Sequence, residues 1–336
     1  MPDHLLNLIP KLAGQRVIVL GDVILDEYLI GRATRLSREA PVPVLEFEER
    51  RLIPGGAANP AANIVSLGSS ALQMGIIGAD AEGESLRHVL QTRQIDIHAL
   101  LVEDGRPTTV KTRIMAHMGL RFPQQVARLD KLEREPINPH LERTLIRLLS
   151  DHLAQTDALL FSDYHVGMLT PALIAQALEL ARTNDLLITS DAQGELDKYA
   201  GFSVVKCNAD EAREDLRRDL RSDDDFASAA RELRQRLQLT VGMVITRGAD
   251  GATIANADDS TAHCPSPAIT DVYDTVGAGD TAIAVITLAL AAGASLADAA
   301  MLANYASGLV VRRVGNYAPT PDELAQAVGI NPTTPN

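Results

Sequence analysis

The run Arg16-Val17-Ile18-Val19-Leu20, followed at once by Gly21-Asp22, frames the reading of the whole chain. A strand with one wet face alternates polar and apolar residues with a period of two. Four consecutive apolar side chains instead describe a strand covered on both faces, as in a parallel sheet flanked by helices. Residues 72–78, 158–162, 186–190, 203–206 and 243–246 share this texture. Between them, 59–67, 83–93, 139–153, 171–183 and 224–237 carry helical spacing. The alternation predicts an α/β fold built on a mostly parallel, right-handed central sheet. Residues 277–293 and 296–311 are Ala-rich and predict two helices packed closely on that sheet.

Two regions break the rhythm. Residues 25–54 and 107–129 alternate as strands do, for example in Thr109-Val110-Lys111-Thr112-Arg113-Ile114, without a good helix. They predict a small antiparallel β layer projecting as a lid, against the plainer reading of long surface loops. The expected organisation is one domain over 1–330 and a frayed tail at 331–336.

Composition narrows the function classes. Of 336 residues, 46% are hydrophobic and 22% charged, which suits a globular chain and not a disordered one. Lys and Arg number 31 against 44 Asp and Glu, and the net charge of −13 argues against duplex nucleic acid as partner. A nucleotide stays open, because a pocket of backbone amides can hold phosphate. Cys207 and Cys264 stand far apart, with no disulfide framework or cysteine zinc site. The first residues show no secretory leader, and residues 281–297 fall short of a clean membrane span. A cytoplasmic protein without membrane or nucleic-acid partners is expected.

Asp274-Thr275-Val276-Gly277-Ala278-Gly279-Asp280-Thr281 leads straight into an apolar helix. Glycines at a helix start let the backbone approach a ligand, and the free amides favour an anion. Asp280 repels such an anion unless its carboxylate takes the proton of an attacking hydroxyl, the helix end helping to keep it ionised. The alternative is an acidic first-turn residue that complements the helix dipole. Gly55-Gly56-Ala57-Ala58-Asn59-Pro60 is a second Gly-rich approach to a helix, with Asn59 either meeting a polyol or serving as N-cap before Pro60. Asp22 at the end of the first strand is placed for hydroxyl binding or is a turn residue.

Asn208 and Glu211 have capping-box spacing, the reading that spacing favours; the same pair could orient water on Mg²⁺. Thr246-Arg247-Gly248 begins a turn that leaves Arg247 available to a nucleotide. Arg35, Lys111, Arg113 and Arg128 in the lid could grip a substrate phosphate or be solvated surface charges. No dinucleotide fingerprint, Walker loop, HExxH or GxSxG is present.

Taken together, Gly21-Asp22, Gly55-Gly56 with Asn59, Asn208 with Glu211, and the 274–280 segment resemble the ribokinase (PfkB) family of sugar kinases. The resemblance runs from about residue 16 to 324 and implies a ribokinase-like fold with a β-lid, using ATP and Mg²⁺. It implies Asp280 as base, Gly277, Ala278 and Gly279 as anion hole, and Asp22, Gly56 and Asn59 as sugar contacts. Asn208 and Glu211 would act near Mg²⁺, Glu211 through water, with Asp274 and the Val276 carbonyl matching a loop that holds a monovalent cation such as K⁺. Residues 21–26, 39–44, 124–130 and 162–164 are similar to the branch phosphorylating the anomeric hydroxyl of D-glycero-β-D-manno-heptose 7-phosphate. That branch has a two-domain form with a following nucleotidyltransferase, so a free-standing kinase is expected here.

Departures are Asp191-Ala192-Gln193 in place of Asp-Pro-Lys, Pro60, and Gly315-Asn316-Tyr317-Ala318. Another sugar, sugar phosphate or nucleoside is the alternative acceptor, and a catalytically idle sensor the alternative class. An exposed lid edge would allow a homodimer by strand pairing.

Overall fold

A computed structural model describes residues 2–119, 123–269 and 271–329; the tail expected to fray lies outside them. The chain begins with α1 (Pro2–Leu8), β1 (Arg16–Gly21), β2 (Val23–Leu36), β3 (Pro43–Gly56), α2 (Ala58–Ser66), β4 (Ser70–Gly78), α3 (Ala81–Thr92) and β5 (Leu100–Glu103). It continues through β6 (Val110–His117), β7 (Gln124–Lys131), α4 (Pro139–His152), β8 (Ala158–Ser162), α5 (Pro171–Thr183), β9 (Leu187–Asp191) and β10 (Val204–Asn208). The last third holds α6 (Ala209–Leu216), α7 (Asp223–Arg236), β11 (Gly242–Thr246), β12 (Ala252–Asn256), β13 (Thr261–Cys264), α8 (Ala278–Ala291), α9 (Leu296–Val310) and α10 (Pro321–Gly329).

Nine strands form the main sheet in the order β13-β12-β11-β10-β9-β8-β1-β4-β5. From β5 to β11 all neighbours are parallel, and β12 and β13 add an antiparallel edge. The doubly covered reading of β1 holds residue by residue. Val17 and Val19 join a core with α2, α8 and α9, while Ile18 and Leu20 join one with α4, α5 and α7. Every strand and helix expected for this layer is present within a few residues. The apolar stretch at 281–297 is mostly the buried core helix α8, which ends at Ala291, and its last two residues begin α9. Among the described residues no helix is long and apolar enough to cross a membrane.

The lid regions form a second sheet, β3-β2-β6-β7, so the loop reading fails. It is not antiparallel throughout: β2–β3 and β6–β7 are antiparallel, but β2 and β6 run parallel. The reason is connectivity. Between them the chain returns through the main sheet, and such a crossover, unlike a hairpin, brings strands together parallel. The register aligns Asp26 with Lys111, and Tyr28 with Arg113 and then Arg128. The lid docks on the body through Asn316, whose amide donates to Asp26 Oδ2 at 2.6 Å and to the Pro54 carbonyl at 2.8 Å.

The passage from β3 into α2 admits glycine alone at position 56. Its φ is +55°, and a Cβ there would lie 2.3 Å from the Asp22 carbonyl oxygen. Gly56→Ala is therefore expected to destabilise the fold by roughly 2–4 kcal/mol. The midpoint of urea unfolding against wild type checks this.

Candidate active site

Strand order reverses at β1: the chain leaves it toward β4 and β5, then returns to β8 on its other side. In open α/β sheets ligands bind beyond the carboxyl ends of strands at such a point. Here Asp22, Tyr164, Asp191, Asn208 and Thr246 all lie at or just past strand ends, and α8 points its first turn at them.

Asp280 sits in that first turn, 5% exposed. Its Oδ2 accepts from Asn59 Nδ2 at 2.8 Å and its Oδ1 from the Tyr164 hydroxyl at 2.8 Å. Asn59 is thus not the N-cap: α2 starts one residue before it, so its amide points inward at Asp280. Pro60 falls within the first turn of α2, where backbone N–H groups lack helical acceptors in any case, and so costs no ladder bond. Asn63 extends the network, donating to the Asn59 carbonyl and accepting from the Thr281 hydroxyl.

Gly277 caps α8 at φ +82°, and a Cβ there would press on Asn316 Oδ1 and Asn59 Nδ2 at 2.7 and 2.8 Å. Past it, the Gly279 and Asp280 amides have no backbone acceptor among the described residues. The Ala278 amide, by contrast, reaches back to the Thr275 carbonyl at 3.4 Å. The expectation that the helix end keeps Asp280 ionised needs correcting. Burial, and then the Asp191 charge, raise its pKa to about 7 against the opposing pull of Asn59, Tyr164 and Lys206.

Lys206 is the residue that sequence reasoning passed over. Its Nζ donates to Asp191 Oδ1 at 2.6 Å, with the Gly279 carbonyl 3.4 Å away. Burial opposes its charge, yet Asp191 leaves its pKa raised. A buried cation is thus present beside Asp280 although position 193 is Gln. The available signal was a lysine in the middle of the apolar run Val204-Val205-Lys206-Cys207.

Asn208 and Glu211 form the capping box: Asn208 Oδ1 accepts from the Asp210 and Glu211 amides, and Glu211 Oε2 from the Asn208 amide. They also line a polar cavity of about 820 Å³ with Tyr164, Lys206, Gly279 and Asp280. The capping reading holds, and the cap engages only one Glu211 oxygen. Burial raises the pKa of Glu211. A second cavity of about 650 Å³ adjoins at Thr246, Gly248, Thr275 and Gly279, and its walls are mainly apolar, including Pro267, Ile269 and Val311.

Several expected contacts are otherwise engaged. The Asp22 carboxylate, 2% exposed, accepts from the amides of Tyr164, Val166 and Met168. Burial and then Asp163 raise its pKa to about 6. As placed, Asp22 holds the loop that carries Tyr164 instead of facing open space. Arg113 is buried against Asp26, Nη1 to Oδ1 at 2.6 Å, and is not a free phosphate grip. Gly55 is needed for the same contact, because a Cβ there would meet the Asp26 carboxylate at 2.5 Å.

Arg247 lines the polar cavity but pairs with Asp223 at 2.6 Å and lies 4.3 Å over the Phe226 ring. Arg128 pairs with Asp130 at 2.9 Å, and Arg35 is exposed. Lys111 alone of the lid cations turns to the site with no carboxylate partner among the described residues, its Nζ 4.4 Å over the Tyr164 ring. Burial lowers its pKa. Asp274 accepts from the Val276 and Gly315 amides, so it shapes the loop before α8. No group of three or more His, Cys, Asp or Glu arranged for a metal occurs among the described residues.

The profile of the pfkB family carbohydrate kinases matches residues 15–323. The bifunctional protein HldE of Geobacter sulfurreducens is 36% identical over 313 residues, covering 93% of this chain and 62% of the relative. That of Acidiphilium cryptum is 37% identical over 333 residues, 98% of this chain and 67% of the relative. The chain thus spans about two thirds or less of the length of these relatives. The structure of Arabidopsis thaliana ribokinase complexed with ribose and ATP aligns with a TM-score of 0.73 at 15% identity, covering 95% of this chain and all of the other. The fold is ribokinase-like.

The raised pKa of Asp280 gives a stability test independent of turnover. Between about pH 4 and pH 7 the unfolded chain has released this proton while the folded one holds it, so wild-type stability falls as pH rises. Above about pH 7 the penalty is complete and constant. The unfolding free energy of Asp280→Asn relative to wild type should therefore climb by up to roughly 4 kcal/mol across that window and then level off. Urea titrations from pH 4 to 8.5 measure it, and a pH-independent difference would contradict the assignment.

Proposed function

Since the chain belongs to the pfkB family of carbohydrate kinases, we propose that it transfers the γ-phosphoryl group of ATP to the anomeric hydroxyl of D-glycero-β-D-manno-heptose 7-phosphate. The observation that carries the catalytic part is the Asp280 carboxyl inside an amide-rich helix start beside Lys206. A base poised near neutrality can accept the hydroxyl proton as the bond to phosphorus forms. The Gly277–Asp280 amides and Lys206 face the charge on the transferring group. Tyr164 and Asn59 orient the carboxylate, and the docked lid keeps water from competing as acceptor. The apolar cavity suits a nucleobase and the polar one its phosphates.

Mg²⁺ fits the donor set. It binds through one or two carboxylates together with phosphate oxygens and water, and Glu211 Oε1 and Asp191 flank the polar cavity. When bound, it supplies charge neutralisation on the phosphates. A monovalent cation would meet Asp274, each of whose oxygens keeps a lone pair beside its amide bond, and the Val276 carbonyl.

The phosphorylated acceptor is supported by the four stretches that resemble the heptose branch and by Lys111, which has no carboxylate partner among the described residues. The idle-sensor reading rested on the missing lysine at 193, and Lys206 removes that support.

An ATP-consumption screen over heptose 7-phosphate, hexoses, pentoses and nucleosides, with phosphorus NMR of the product, tests the proposal. An anomeric phosphate on the heptose is the expected product; turnover confined to unphosphorylated sugars would reject that acceptor while leaving the kinase chemistry. Asp280→Asn should keep nucleotide binding and lose at least about a hundredfold in kcat. Lys111→Ala should raise KM for the phosphorylated acceptor about tenfold or more with little change in KM for ATP.

A further inference from the structure

At the amino ends of the strands, opposite the active site, two histidine rings meet head on. His98 Nε2 and His152 Nε2 are 2.8 Å apart, with ring centroids at 4.6 Å. His98 lies just ahead of β5, the edge strand of the main sheet, and His152 is the last residue of α4. We propose that the pair is a surface site for one divalent transition-metal ion of the Zn²⁺ or Ni²⁺ kind, fastening the segment before β5 to α4.

The argument is one of proton inventory. His98 Nδ1 is 2.6 Å from Asp96 Oδ1, and a carboxylate only accepts, so Nδ1 carries the hydrogen. His152 Nδ1 is 2.7 Å from the Leu148 carbonyl, which also only accepts, so this Nδ1 carries the hydrogen too. In the neutral rings both Nε2 atoms are then bare lone pairs facing each other at hydrogen-bond distance, a repulsive arrangement unless a cation lies between or beside them. Two nitrogens about 2.1 Å from one ion lie about 3 Å apart in cis octahedral positions, as Ni²⁺ offers, and about 3.4 Å apart in tetrahedral ones, as Zn²⁺ offers, so the rings need part by only a few tenths of an ångström to seat either.

The Nδ1 partners are those that metal-bound histidines commonly have, a carboxylate and a backbone carbonyl that fix the tautomer and raise ring basicity. Asp96 is itself held by the His98 amide at 3.1 Å. Both rings are solvent-accessible, so water can complete the coordination shell. Magnesium, which prefers oxygen donors, would not compete for the two imidazoles. The cation competing on equal terms is a single proton shared by the rings.

Calorimetric titration of the full chain with ZnCl₂ at pH 7.5 distinguishes the two, repeated on His98→Ala, His152→Gln and Asp96→Asn. One-to-one binding should appear in wild type, vanish in both histidine variants and weaken about tenfold in Asp96→Asn. Zn²⁺ should raise the melting temperature of wild type and not of the histidine variants, whose sugar-kinase turnover without added Zn²⁺ stays at the wild-type level. Equal Zn²⁺ binding by wild type and the histidine variants would overturn the proposal. So would the absence of saturable binding, with ¹⁵N spectra showing an Nε2 proton on one of the two rings.

Discussion

The site depends on keeping one carboxyl, Asp280, dry and fixed at a helix start whose amides attract anions. Burial is the largest influence pushing its pKa up, whereas full exposure would leave it an ordinary carboxylate near its reference value of 3.8. The other groups around it set the balance. Asn59 and Tyr164 each donate one hydrogen bond to the charged form, Lys206 adds a positive charge, and Asp191 opposes them. The result, near 7, suits the general-base role proposed for it, where basicity is traded against availability. The partners come from the lid–α2 junction, the loop after β8 and strand β10, so folding of all three is a condition for the chemistry.

That dependence explains why buried polar residues gather around the site. Asp22 pins the loop carrying Tyr164 through three amides; Asp26 joins Arg113 to Asn316 and so joins lid to body. Each is a buried charge whose hydrogen bonds offset part of its desolvation, a poor source of stability but a strict fix on geometry. Removing one partner would leave the other charge uncompensated. Two residues that read as substrate contacts, Asp22 and Arg113, are thus engaged by other groups of the protein.

How much of this was legible follows from the range of the forces involved. The layers of the main sheet were readable because apolar period and helix spacing are local, and Val17 through Leu20 divide between two cores as a doubly covered strand must. The parallel β2–β6 pairing was not, because it is set by a crossover of more than seventy residues between the paired segments. Asp280 and its glycines stood out because an acid in an anion cradle is a local contradiction. Lys206 offered the same kind of contradiction, a charge in an apolar strand, but its meaning required the position of Asp191 on the adjacent strand.

The lid cations show the limit most clearly. In sequence Lys111 and Arg113 are equivalent, two basic residues two apart on one strand and so on one face. What separates them is Asp26, more than eighty residues earlier, which takes the Arg113 guanidinium and leaves Lys111 over the Tyr164 ring. An arginine suits a permanent buried pair, since it holds its charge and its planar fork fits a carboxylate. A lysine suits a contact made and broken in each cycle, since its compact ammonium can leave an aromatic face for a phosphate. The lid thus divides these two basic residues between one that a carboxylate holds and one, Lys111, to which the proposed function gives an anion, and the division is decided by whether a carboxylate is already within reach.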